Sequence, residues 1–289
     1  QTCALPIYSV PRANVTIAVP SGSILGNGVL ESGNLTWVAR SQDPAVSNNW
    51  NYTGLNATVT GAGENLSVTN NGSLTIFGLA TNSGTITIEP TDDTVATNVD
   101  LRGNVVAGQT ETGGNAVVIN INGAINSNGG TIFGKSLNIT VAGDSTLSTN
   151  VTSLTANVTG AGSTLTINEA DDLTIAAAGI INPNGDVNLY AAGDINGTAG
   201  TIQAINLDVA ANSAILLTNV TSLTGTIWGS GGAGLKVTEA DDLSVGAADI
   251  TSTGDPIALT LTAGNLSGPG TINAAAGDVS LNANSGNIT

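Results

Sequence analysis

The chain of 289 residues contains no histidine and no methionine, and its single cysteine, Cys3, stands at the extreme start. Without histidine or a usable thiol, neither a Ser/His nor a Cys/His nucleophile can be assembled. Zinc sites lose their usual nitrogen and sulfur ligands for the same reason. Charge is scarce too: charged residues make up 9 % of the chain, against about 25 % in ordinary domains. Only Arg12, Arg40, Arg102, Lys135 and Lys236 are positive, and the net charge is −16. Nucleic-acid binders need a basic footprint, so no nucleic-acid partner is expected. The same balance opposes docking on an anionic membrane surface. No apolar run approaches the ~18 residues of a spanning helix, so no membrane insertion is expected. Aromatics are only 3 % of the chain. No stretch sustains a 3.6-residue hydrophobic period, so no helix is expected.

Against these absences stand 38 glycines and a hydrophobic content of 40 %, enough for a core and too much for generic disorder. The apolar residues are mostly Leu, Ile, Val and Ala, which suit thin, regular layers of strands. The chain is organised around a repeat of about 70 residues. Its marker is Gly-Thr-Ile at Gly130–Ile132, Gly200–Ile202 and Gly270–Ile272. Thr149-Asn-Val-Thr-Ser-Leu-Thr155 returns as Thr218-Asn-Val-Thr-Ser-Leu-Thr224, and Glu169-Ala-Asp-Asp-Leu173 returns as Glu239-Ala-Asp-Asp-Leu243. Repetition of this kind marks a solenoid or array. Val59–Gly63 matches Val158–Gly162 at a shift of 99 rather than 70, which places an insertion of 29 residues between Ile76 and Gly130.

Within each repeat, short apolar-x-apolar strands such as Leu165-x-Ile167, Val187-x-Leu189 and Leu207-x-Val209 alternate with Gly, Asn and Asp turns. Period two turns one face inward and leaves an outward face of Asn, Thr and Ser. Strands this short are not stable as isolated hairpins. Coiled so that each pairs with its equivalent one turn on, they form a parallel β-helix. Three strands per turn take roughly 20–24 residues at strand geometry, so a 70-residue unit is about three turns and the chain about eleven or twelve. The expected fold is therefore all-β, a right-handed parallel β-helix. Residues 9–54 are expected to form an irregular β leading segment or cap. Residues 55–289 are expected to form the coil, divided at 55–148 (with the insertion near 77–105), 149–217 and an incomplete 218–289.

Two recognitions bear on this reading. Gln1-Thr-Cys-Ala-Leu-Pro-Ile7 is what translation of a common short-read sequencing adapter yields, so residues 1–8 are set aside from fold reasoning. The chain also stops within a repeat, so both natural ends are expected to lie outside it. Gly185-Asp-Val-Asn-Leu-Tyr-Ala-Ala-Gly-Asp-Ile195 and Gly277-Asp-Val-Ser-Leu-Asn-Ala-Asn-Ser-Gly-Asn-Ile288 resemble the repeats of filamentous haemagglutinin-like exoproteins, which belong to two-partner secretion, and of large repetitive bacterial surface adhesins. Asp255–Leu266 is a looser copy. The resemblance covers roughly 55–289 and rests on degenerate motifs. It implies a secreted or cell-surface rod, exported through an outer-membrane translocator and serving adhesion or biofilm formation. The partners it implies are glycans or proteins of a host or neighbouring cell. Asn182-Pro-Asn-Gly185 is similar to a motif of the family's secretion domain, but it stands inside a repeat and reads as a turn.

The remaining chemistry lies in carboxylates and aromatics. Asp92/Asp93, Asp171/Asp172 and Asp241/Asp242 are paired acids. Glycosidases need two carboxyls on facing elements, and adjacent strand residues point to opposite faces, so no enzyme is expected. Glu169, Asp171, Asp172, Glu239, Asp241 and Asp242 supply hard oxygen ligands for calcium, or else are solvated turn acids. Trp37, Trp50 and Tyr52 form either a glycan-stacking patch or a plug packed against the first rungs. No cofactor is expected. The function expected is the structural stalk of a bacterial adhesin. The alternative is a carbohydrate-binding or carbohydrate-active β-helix module of a larger secreted protein.

Overall fold

The structure, a computed structural model, describes residues 2–4, 8–9, 13–25, 30–42, 50–70, 72–90, 96–108, 115–230 and 232–289. The chain divides into two compact units, residues 1–152 and 153–289. Both are parallel β-solenoids with rungs of about 21 residues, and together they make about 12 turns.

The coil follows from the alternation. In Asp186–Ala191, Val187, Leu189 and Ala191 are buried while Asp186, Asn188 and Tyr190 face outward. Parallel pairing then sets each inward side chain on the one from the rung before. In the first unit one such column runs Ile17, Trp37, Ala57, Leu79, Val105, Ile132. Trp37 is the bulkiest member, and the small Ala57 follows it. In the second unit a column runs Leu173, Ile195, Ala214, Leu235, Ile257, Val279. Each fully buried Leu, Ile or Val contributes about 1.5–3 kcal/mol of hydrophobic stabilisation, so the core is a pile of thin apolar layers.

The Gly-Thr-Ile marker has a steric cause. A Cβ on Gly130, Gly200 or Gly270 would collide with the carbonyl oxygen of Gly103, Ala176 or Gly246 respectively, one rung below. The glycine lets the chain turn a corner in contact with the previous corner. Within 77–105, the described strands pair with rungs on either side. The strand Ile86–Pro90 pairs with Leu66–Asn70 on one side and Ala116–Asn120 on the other. Val99–Leu101 is likewise paired on both sides. Residues 9–54 also contain rungs, since Val15–Leu25, Leu30–Gln42 and Trp50–Ala62 pair in sequence.

Sequence-equivalent strands do not share a face. Leu165 heads a column through Val187, Leu207, Leu223 and Val245. Its repeat partner Leu235 lies in the column of Leu173 and Ile195 instead. The sequence repeat is not a whole number of rungs, so successive copies start on different faces. One rung is short: Thr201 to Leu217 is a step of 16 residues, where most steps are 20–22.

The register makes a direct prediction. Val187 is fully buried and Asn188 faces outward, where its side-chain amide donates to Thr166 Oγ1 at 3.1 Å. Val187→Asp places an uncompensated polar group in the layer and is expected to cost roughly 2–7 kcal/mol. Asn188→Asp is expected to change stability by less than about 0.5 kcal/mol. Urea unfolding of both variants decides it, and equal losses would refute the register.

Candidate functional site

The carboxylates named from the sequence fall into two kinds. Glu169 and Glu239 close the strands Thr164–Glu169 and Leu235–Glu239 and are buried. Each folds back onto the turn that follows. Glu169 Oε1 accepts the Ala170 N–H at 2.9 Å, and Glu239 Oε1 accepts the Ala240 N–H at 2.7 Å. Glu239 also accepts from Val220 N–H at 3.2 Å. Burial pushes the Glu239 carboxyl above its ordinary range, opposed by the Thr218 hydroxyl and these backbone donors.

Asp171, Asp172, Asp241 and Asp242 lie exposed in the turns. Asp172 Oδ1 accepts the Asp194 N–H at 2.8 Å, one rung on. Asp194 Oδ1 in turn accepts from Asn212 Nδ2 at 2.7 Å and Ser213 Oγ at 2.9 Å, contacts that hold its carboxyl below the usual range. Asp242 Oδ1 takes the Asn265 N–H at 2.6 Å, and Asn265 Oδ1 takes the Asn287 N–H at 2.9 Å. Asparagine does the same in the first unit: Asn65 accepts from Thr85 N–H at 2.8 Å and Asn98 from Ala124 N–H at 2.8 Å. Asp172, Asp242, Asn265, Asn65 and Asn98 are struts. Each satisfies a corner N–H that the strand ladder leaves over.

This geometry separates the residues expected as calcium ligands. The glutamates point into the layers and the aspartates out of the turns. Among the described residues, no three His, Cys, Asp or Glu side chains are grouped so as to hold a metal ion. Nor do the acid pairs meet. Asp172 sits at the corner entering the Leu173–Ile195 column, and Asp242 at the corner entering the Leu243–Leu266 column. Asp92 and Asp93 lie outside the described residues.

Trp37, Trp50 and Tyr52 are buried in the first unit. The Tyr52 hydroxyl donates to the Thr69 carbonyl at 3.2 Å, and burial pushes its pKa up. None of the three turns a ring face to solvent. Among the described side chains the largely exposed rings are others, Phe77 at 44 % and Trp228 at 43 % exposure, and no sequence pattern singles them out. Phe77 is the extra residue of a bulge, since Leu55 pairs with Ile76 and Asn56 with Gly78. Strand alternation cannot announce such a residue. The Asn182-Pro-Asn-Gly185 stretch is a turn: Asn182 is fully buried, and its side-chain amide donates to the Ser163 and Asp186 carbonyls, both at 2.9 Å. Among the described residues, no helix is long and apolar enough to cross a membrane.

Comparison of the chain with protein-family models, with curated proteins and with solved structures found no match.

Glu239 yields a signed pH prediction. Its folded pKa is raised above the ordinary 4.5, so the folded chain holds this proton more tightly than the unfolded one. The stability this contributes is fully present below the unfolded value and is lost as pH rises through the folded value. Glu239→Gln cannot titrate. Its melting temperature relative to wild type is therefore expected to climb as pH rises from the ordinary 4.5 through the folded value. Melting curves across that window test it, and a flat or falling difference would be the wrong sign.

Proposed function

We propose that the chain is a structural stalk of a bacterial surface adhesin, serving adhesion or biofilm formation. The observation that carries this reading is how the carboxylates are used. In the second unit, Glu169, Asp172, Asp194, Glu239 and Asp242 all accept hydrogen bonds from turn backbone or from the next rung. The two acid pairs occupy different corners. A reaction needs groups converging on one substrate, and here Asp172, Asp194, Glu239 and Asp242 are engaged across rungs and Glu169 within its own turn. That is the arrangement of a scaffold whose task is length and regularity.

The repeats that resemble filamentous haemagglutinin-like exoproteins support the same reading. So does the low, acidic charge, which suits a solvated surface. On this reading the protein is secreted or displayed at the cell surface and passes an outer-membrane translocator during export. Its eventual partners are glycans or proteins of a host or neighbouring cell, and it carries no catalytic activity.

The reading is tested by long-read sequencing across both ends of the gene. The expected result is a signal peptide and secretion domain upstream, further units of about 70 residues downstream, and a translocator gene alongside. A catalytic domain joined to a short coil would instead make this chain a spacer or substrate-binding module and overturn the stalk.

A further inference from the structure

One outward face of the first unit differs from the rest of the coil. Three consecutive rungs bring Thr75, Asp100 and Asn126 into register. Two residues further along each rung lie Phe77, Arg102 and Asn128, with Arg102 N–H bonded to the Ile76 carbonyl and Asn128 N–H to the Leu101 carbonyl. The result is a two-by-three array. Its spacing is roughly 4.8 Å between rungs and roughly 6.6 Å along the strand.

The array is internally fixed. Asp100 Oδ2 accepts from Arg102 Nε at 2.7 Å, and Asp100 Oδ1 accepts from Asn128 Nδ2 at 2.6 Å. These two donors hold the Asp100 carboxyl below its usual range, so it is ionised at neutral pH. Beside the array lies a concavity of about 300 Å³, lined by Thr53, Thr75, Asp100, Asn126 and Asn128. Phe77 gains its place from Gly54, where any Cβ would strike both the Phe77 ring edge and the Asn34 side chain. The ring therefore lies against the previous rung, 44 % exposed.

We propose that this face binds a neutral oligosaccharide, with a sugar ring stacked on Phe77 and its hydroxyls bonded to the cluster of Asp100, Asn126 and Asn128. An exposed aromatic beside fixed donors and acceptors offers both an apolar platform and hydroxyl partners. In the described hydrogen bonds the Asn126 amide nitrogen, the Asn128 carbonyl oxygen and the terminal nitrogens of Arg102 are not engaged. Asp100 keeps acceptor capacity on both oxygens. Other ligand classes fit less well. A net charge of −16 repels acidic polysaccharides and nucleic acid. A peptide that binds by adding a strand needs a free sheet edge, and these rungs are paired on both sides. The site does not depend on the stalk reading.

Calorimetric titration of the full chain tests the site, using tetra-N-acetylchitotetraose, cellotetraose and galactotetraose as neutral probes and trigalacturonate as the acidic one. At least one neutral probe is expected to bind, and trigalacturonate is not. Phe77→Ala is expected to weaken binding roughly ten-fold through loss of the ring contact, while Phe77→Trp retains it and Trp228→Ala leaves it unchanged. Asn128→Ala weakens binding too. Binding by none of the neutral probes, equal binding by Phe77→Ala, or loss in Trp228→Ala would overturn the proposal.

Discussion

The strands of the coil pair in parallel with the rungs before and after, and that ladder meets most of their backbone N–H and C=O groups. The requirement to keep that ladder accounts for most of what the side chains do. Inward positions must be apolar because they stack between two other layers. Corner positions must be small where one rung passes against the next, as at Gly130, Gly200 and Gly270. Corner N–H groups that escape the ladder need acceptors, and the turn Asp and Asn side chains provide them. Low aromatic content follows as well, because thin layers of Leu, Ile, Val and Ala leave little space for rings. The exceptions, Trp37, Trp50 and Tyr52, are gathered in the first unit.

The same requirement narrows where function can reside. Interior groups are committed to packing, and many turn groups to inter-rung hydrogen bonds. Glu239 shows the cost of departing from the rule. It sits in a column between Thr218 and Leu261, where burial raises its pKa even though backbone donors gather around its carboxyl. What remains for contact with other molecules is the outward face, and most of that is uniform Thr, Asn and Ser. The face carrying Phe77, Asp100 and Arg102 stands apart because a bulge, an ion pair and a missing side chain at Gly54 coincide there.

Much of the strand content is legible in the residue pattern alone. Period-two segments such as Leu165-x-Ile167 and Val187-x-Leu189 predict which residues turn inward, and all four are buried. The candidate sites are less legible. Glu169, Asp171 and Asp172 read alike as oxygen ligands, yet one is buried and two are exposed, because a turn reverses direction within two residues. Trp37 and Trp50 read as a packed plug with a glycan-stacking patch left open, since alternation fixes a face only where the register is known. Phe77 gives no signal, because a bulge breaks the alternation by which side chains are assigned.

By itself, then, the sequence determined a solenoid of short parallel strands. Local alternation, turn-forming Gly, Asn and Asp, and the scarcity of proline leave few other ways to satisfy the backbone. Only the tertiary structure decided which residues become neighbours across rungs. The Gly-Thr-Ile marker recurs every 70 residues, but a rung takes about 21. Leu165 and Leu235 are equals in sequence and lie in different columns in space. Column membership depends on the summed lengths of every turn between two strands. A single short rung or bulge redirects all that follows, and no local pattern records that sum.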